Sequence, residues 1–350
     1  MEIDYLVIGQ GLAGSLLAWE LIQRQKKVIV VDNNKENASL VAAGLINPVT
    51  GMRLVKSARV DALLPTAIEF YQQLSAYFQQ TFFIEKPMLR ILRNNKELVA
   101  CKKRLQNSDY QSFLSELIPS APLITTPFGI LKQQKTGYLL TKPLLKDLKN
   151  YFISIHAYIQ AEIKYNDIAL TPHLHWRNIR PKKIIFCEGY LACNNPWFSW
   201  LPFQLAKGEI ISATTTQFIP QNILNYGHWF IPLNSHQFRT GATFDSVNLN
   251  LTPTKTAKEA LLTSLHQVYP GFSMPSTCAQ QTGIRPTTLD KQPFIGNHPK
   301  HPELIIFNGF GAKGSLQIPW YCHCLADYLL YNLAIPQHSN ILRYNQMLRQ

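Results

Sequence analysis

The chain has 350 residues, 46% of them hydrophobic and only 16% charged, a balance that excludes a disordered or low-complexity polypeptide and leaves a folded globular protein. The length suits two intimately joined domains around a sizeable shared core. The net charge of +13 admits an acidic or nucleic-acid partner. Its spread over short clusters, such as Arg24 to Lys27, Lys102 to Arg104 and Lys182 with Lys183, is equally that of a surface that only solubilises or steers.

Residues 3–32 read as one βαβ unit: an apolar strand over 3–8, a glycine turn, an amphipathic helix through Leu21 and Ile22, and a second strand over 28–31. A strand starting at Ile3 leaves no room for a signal peptide, and no apolar run approaches the roughly 20 residues that span a bilayer, so a cytoplasmic protein without a membrane span is expected. An aromatic-rich helix is expected over 63–78 and a strand over 82–92. Beyond it the composition turns basic and periodicity fails, which places a domain crossing near residue 80. Thr141 as cap and Pro143 in the first turn open a helix over 144–153. Strands over 158–163 and 183–186 return the chain to a parallel sheet. Short alternating strands over 208–213, 228–232 and 237–243 read as an antiparallel sheet. Helices close the chain over 258–268 and 315–334. Six cysteines scattered through so large a chain fit reduced thiols. The triplet Cys322-His323-Cys324 has no second ligand pair at metal-site spacing, so no metal is expected.

Gly9-Gln10-Gly11-Leu12-Ala13-Gly14 follows the first strand and opens the first helix. The first glycine permits the tight turn, the second lets backbone approach a pyrophosphate, and the third lets helix and strand pack closely. The helix N-terminus offers unpaired N–H groups and partial positive charge to that diphosphate. Asp32 closes the second strand eighteen residues beyond Gly14, where a carboxylate accepts ribose hydroxyls. A second glycine turn, Asn308-Gly309-Phe310-Gly311-Ala312-Lys313-Gly314, follows the buried-type strand Leu304-Ile305-Ile306-Phe307 and opens the last helix. Two glycine-lined helix starts favour a cofactor held at both ends.

Between them stand Gly283-Ile284-Arg285-Pro286, Asp290 and Pro293-Phe294-Ile295-Gly296. With the N-terminal fingerprint these resemble the D-amino-acid-oxidase family of FAD-dependent oxidoreductases, which includes glycine oxidase, sarcosine oxidase and the oxidase domain of a tRNA wobble-uridine modification enzyme. Residues 38–48 resemble the family's stretch along pyrophosphate and flavin, Ile184 to Gly189 its strand ending beside the cofactor, and Lys207-Gly208-Glu209 its entry to the substrate domain. Residues 95–135 carry no resemblance.

The resemblance implies an α/β fold: a glutathione-reductase-like FAD-binding domain with a parallel, Rossmann-type βαβ sheet (residues 1–80, 136–206 and 280–350) and an inserted antiparallel-sheet substrate domain (81–135 and 207–279). It implies FAD contacts from Gly9, Gly11, Leu12, Ala13, Gly14, Asp32, Asn33, Ser39, Ala43, Gly44, Leu45, Asn47, Ile168, Gly189, Arg285, Gly309, Gly311, Ala312, Lys313 and Gly314. It implies oxidation of a C–N bond in an amine or amino acid by hydride transfer to flavin N5, with O2 or another acceptor reoxidising the flavin. No second Gly-x-Gly-x-x-Gly appears mid-chain, so substrate rather than NADPH is expected to reduce it, and no cysteine falls in the closing turn or beside Arg285, so the FAD is expected to be noncovalent, with Cys278 the one cysteine close enough in sequence to keep a covalent link open. Arg285 stands where the family holds a substrate carboxylate, the alternative being a structural ion pair. Lys313 is a cation at the flavin edge or a solvent-facing turn residue. Arg53 is an extra cation near the flavin face or a surface residue. Tyr226, His228 and Trp229 line the pocket or fill core. Two further functions stay open: action on a modified tRNA wobble uridine side chain, and a flavin-binding protein without turnover.

Overall fold

The computed structural model describes every residue except Glu36, Ser276 and Gln350. Its first strand, β1 (Glu2–Ile8), is followed by helix α1 (Leu12–Gln23) and strand β2 (Val28–Asp32). These belong to a six-stranded sheet in the order Tyr158–Gln160, β2, β1, Arg180–Phe186, Leu304–Asn308, Phe294–Asn297. All neighbours are parallel except the last pair. Val7, Val30 and Ile185 point into one core cluster, while Leu6, Val31 and Ile184 point into another. Both faces are therefore covered, which is why these strands read as unbroken apolar runs.

A second, eight-stranded sheet runs in the order Cys278–Thr288, Phe203–Thr214, Gln237–Gly241, Trp229–Pro232, Ile223–Asn225, Met88–Ile91, Ile130–Gln133, Leu114–Ile118. Its pairings are antiparallel save one, Ile223–Asn225 with Met88–Ile91, which is parallel. Ile210, Gly241, Trp229, Asn225 and Arg90 stand opposite one another across five of these strands. They share one face, because register partners project to the same side.

Several expected elements differ. The strand expected over 82–92 is two strands in two sheets: Phe83–Glu85 pairs with Gly137–Leu139, and Met88–Ile91 enters the large sheet. Pro87 lies between them, lacking the N–H that a continuous ladder needs. The helix after Leu140 already contains Thr141, so Thr141 does not cap it. The unpatterned stretch 95–135 holds a helix, Asn95–Leu105, capped by the Asn94 side chain on the Glu97 N–H at 3.0 Å, and two strands of the large sheet. No helix among the described residues is long and apolar enough to cross a membrane.

Candidate functional site

The turn between β1 and α1 is built by exclusion of side chains. Gly9 has φ +103°, a conformation only glycine adopts freely, and a Cβ there would stand 2.6 Å from the Cys187 carbonyl oxygen. A Cβ on Gly14 would collide with the Gly9 carbonyl, so this glycine serves the packing of helix on strand. Asp32 ties the turn to β2 by accepting from the Gln10 N–H at 2.9 Å and the Asn34 N–H at 2.7 Å. Ser39 Oγ accepts from the Leu12 N–H at 3.0 Å, bringing the segment Ala38–Val41 against the start of α1.

This turn floors a cavity of about 990 Å³ between the two sheets. Of the residues expected to touch a cofactor, Gly9, Gly11, Leu12, Ala13, Asp32, Asn33, Ser39, Ala43, Gly44, Leu45, Asn47, Gly189, Arg285, Gly311, Ala312, Lys313 and Gly314 all line it. Three of the expected contacts, Gly14, Gly309 and Ile168, do not, nor does Arg53, the cation expected near the flavin face. Gly14 faces the turn's own backbone, and Gly309 backs onto Thr288 and Phe294. Ile168 lies in the core beneath the parallel sheet, while Ala161, Glu162 and Ile163, just past the edge strand beside β2, line the wall instead. Arg53 sits at the tip of the hairpin formed by Val49–Thr50 and Val55–Lys56 and points to solvent, because its neighbour Leu54 turns inward and is fully buried. The hairpin reaches the cavity through Gly51 and Met52.

The carboxylates are segregated. Asp32, Glu162 and Glu188 all stand at or just past the carboxyl ends of parallel-sheet strands, with Lys35 beside Glu162 at 3.1 Å, whereas the eight-stranded sheet and the turn after it bring Arg90, Arg93 and Arg285 and no carboxylate. Arg285 makes no ion pair among the described residues; Nη1 and Nη2 both donate to the Thr243 carbonyl, at 3.3 and 3.4 Å. Its guanidinium lies flat over Gly208, where a Cβ would collide with it. Burial lowers its pKa. Strand alternation sends Lys207 and Glu209 to the other side, where Lys207 Nζ bonds the Thr252 carbonyl at 2.6 Å and Glu209 at 3.3 Å. Lys313 Nζ donates to Ser57 Oγ at 3.0 Å, and burial followed by the nearby Lys291 lowers its pKa. Trp229 lines the cavity, Tyr226 is core with its hydroxyl 3.0 Å from Thr240 Oγ1, and His228 is half-buried against the Ala242 carbonyl. Cys187 is the one cysteine on the wall among the described residues.

Residues 4–328 match the model of the DAO family, FAD dependent oxidoreductases. The chain belongs to this family. A glycine oxidase of Pseudomonas putida is 22% identical over 358 residues, covering 94% of this chain and 95% of that protein. A tRNA 5-methylaminomethyl-2-thiouridine biosynthesis bifunctional protein of Leptospira borgpetersenii is also 22% identical, over 93% of this chain but 57% of its own length. The crystal structure of glycine oxidase from Geobacillus kaustophilus shares the fold with a TM-score of 0.82, covering 98% of each chain at 17% identity.

The wall fits the cofactor of an FAD-dependent oxidoreductase. A bare glycine turn at a helix start suits a diphosphate, Asp32 stands at the neighbouring strand end, and the volume is at the upper end of the roughly 300–1,000 Å³ usual for ligand sites. Among the wall residues that escaped the reading of the sequence is Glu188, which stood there only as the neighbour of the expected contact Gly189. Burial raises the Glu188 carboxyl to about 7, even though Asn195 Nδ2 at 2.8 Å and the Tyr165 hydroxyl at 2.9 Å donate to it. An unfolded chain loses this proton near 4.5, so the contribution to stability is complete below that pH and is lost as pH rises through about 7. The loss is on the order of 3 kcal/mol. Urea unfolding of the apoprotein at about pH 5 and about pH 8 should show wild type weaker at the higher pH and Glu188→Gln without that part of the difference.

Proposed function

We propose that this FAD-dependent oxidoreductase oxidises the carbon–nitrogen bond of an amine that bears a carboxylate. Arg285 carries the reading. A largely buried guanidinium with no acidic partner has only two long bonds to the Thr243 carbonyl in place of its hydration, and its planar fork matches a carboxylate at two points. FAD, when bound, supplies the acceptor for the hydride that leaves the α-carbon as the imine forms.

The chain's own groups bind and orient. Gly9, Gly11 and the first turn of α1 would hold the diphosphate, Asp32 the ribose, and the turn Gly311 to Gly314 with Lys313 the flavin's far edge, where N–H groups and a cation favour developing negative charge. Arg285 would fix the substrate's carboxylate, and Trp229 and Ile210 give the roof an apolar body. The arginines favour the neutral form of an amine placed among them. With no carboxylate or histidine lining that roof among the described residues, the amine's proton leaves to solvent. The glycine oxidase relative supports a small amino-acid substrate. The tRNA-modifying relative extends well beyond this chain, and Arg90 of the roof is buried, so we favour a small molecule over a tRNA-borne side chain. The six free thiols support a cytoplasmic location.

Anaerobic mixing with glycine, sarcosine, D-amino acids and L-proline should bleach the flavin band near 450 nm with at least one of them, as hydride chemistry on a flavin requires. The limiting dependence on pH should rise with the pKa of the amine and move with it from one substrate to another. A profile with one fixed pKa would assign the proton to a protein group. A holoenzyme that no amine reduces would leave a flavin-binding protein without this turnover. Admission of air then reads whether O2 is the acceptor.

A further inference from the structure

Arg285 is one positive charge, and an α-carboxylate answers it. The same sheet brings two more guanidinium groups to the cavity, Arg90 and Arg93, against the single carboxylate of Glu97. Arg90 Nη2 lies 3.2 Å from Glu97 Oε1, and Arg93 Nε and Nη2 lie 3.0 and 2.6 Å from that same oxygen. The cluster keeps one net positive charge. Arg90 is 5% exposed, and its Nε has no hydrogen-bond partner among the described residues. Gly227 is bare beneath Arg93, whose Nη1 would stand 2.7 Å from a Cβ there. The excess charge stands at the cavity wall with no second carboxylate beside it among the described residues, and a bound oxyanion answers it.

We propose that the substrate carries a second carboxylate, held by Arg90 and Arg93 while Arg285 holds the first; the assignment of the pair to one substrate rests on the amine reading above. A single net charge matches a carboxylate better than a phosphate dianion. Four strands separate that of Arg285 from that of Arg90, and Arg285 leans over the first of them at Gly208. From that strand to the one carrying Arg90 is four steps, roughly 19 Å at about 4.8 Å per step, shortened by the reach of Arg90. The substrate is accordingly an elongated amino diacid, with several atoms between its acidic ends.

Calorimetric titration of the holoenzyme with straight-chain dicarboxylates from succinate to sebacate, and with monocarboxylates of equal length, tests this without turnover. One diacid length should bind about tenfold or more tighter than its monoacid, as a second charge-assisted pair implies. Arg93→Gln, at an exposed position and with Arg90 still answering Glu97 at 3.2 Å, should keep a wild-type circular dichroism spectrum, remove most of that preference and affect monoacids much less. Glu97→Gln removes the internal rival anion and should increase the preference, an outcome that a purely structural cluster does not produce. Equal affinities through the whole series, no binding of any acid, or a preference that survives Arg93→Gln overturns the proposal. So does tRNA binding that depends on Arg93 and resists every diacid. Diacid preference in an enzyme that no amine reduces would overturn the amine reading while leaving the second carboxylate site in place.

Discussion

Arg285→Lys will keep FAD and fold and lose reduction by the carboxylate-bearing amine. The fold has little to lose, since the guanidinium is held only by two long bonds to one carbonyl, Thr243 at 3.3 and 3.4 Å, each near the limit at which such bonds contribute. The substrate has much to lose. A flat fork lying over the bare backbone of Gly208 engages a carboxylate at two points and fixes its plane, whereas an ammonium is a point charge around which the carboxylate turns. Binding should weaken first. Hydride transfer should slow as well, because a displacement of about 1 Å at the reacting carbon costs on the order of a hundredfold in rate. Stopped-flow reduction normalised to flavin content separates the two effects. If Arg285 instead serves the fold, the lysine variant will melt earlier or lose FAD while each bound flavin is reduced at the wild-type rate.

The parts of this site that the sequence disclosed are those whose chemistry is backbone chemistry. The turn Gly9 to Gly14 and the turn Gly309 to Gly314 announce themselves because bare backbone at a helix start must be written with glycine, and β1 and β2 because strands covered on both faces must be apolar throughout. Arg285 was legible through its motif rather than its setting.

What escaped is where charge does the work of core. The helix Asn95–Leu105 buries chiefly Glu97 and Cys101 and leaves Val99 59% exposed, so no apolar stripe betrays it. Its buried face is an acid answered by Arg90 and Arg93, residues that any reading of charge as surface assigns to solvent. Geometry accounts for the other differences. A hairpin tip puts Arg53 outside and Leu54 inside although both follow the same loop. Pro87 divides one apolar run between two sheets. The wall beside Asp32 is formed by residues 161–163, just beyond the strand, rather than by Ile168, five residues later in the chain. Neither spacing nor periodicity reports which side of a short loop faces a cavity.

Gly11→Ala and Gly14→Ala, three residues apart in one motif, will fail in different ways. At Gly11 the backbone has φ −73° and ψ −174°, open to any residue, and an added methyl group would meet only Ser39 Oγ at 3.3 Å. The apoprotein should therefore tolerate alanine there. Gly11 lines the cavity, however, and the methyl group would occupy the ground that a diphosphate needs in order to reach the N–H groups of α1. FAD affinity should fall about tenfold or more, each tenfold being about 1.4 kcal/mol. At Gly14 the methyl group meets the Gly9 carbonyl and lies 3.1 Å from Cys187 Cβ, inside the helix–strand contact and away from the cavity. Backbone rather than a flexible side chain must move, so the cost appears in the apoprotein, at about 1–3 kcal/mol or more for an overpacked contact. Thermal melting of the two apoproteins and FAD titration of each resolve the pair. Equal loss of apoprotein stability in both would mean that Gly11 is held bare by the protein itself, and undiminished FAD affinity in Gly11→Ala would remove this turn from the diphosphate.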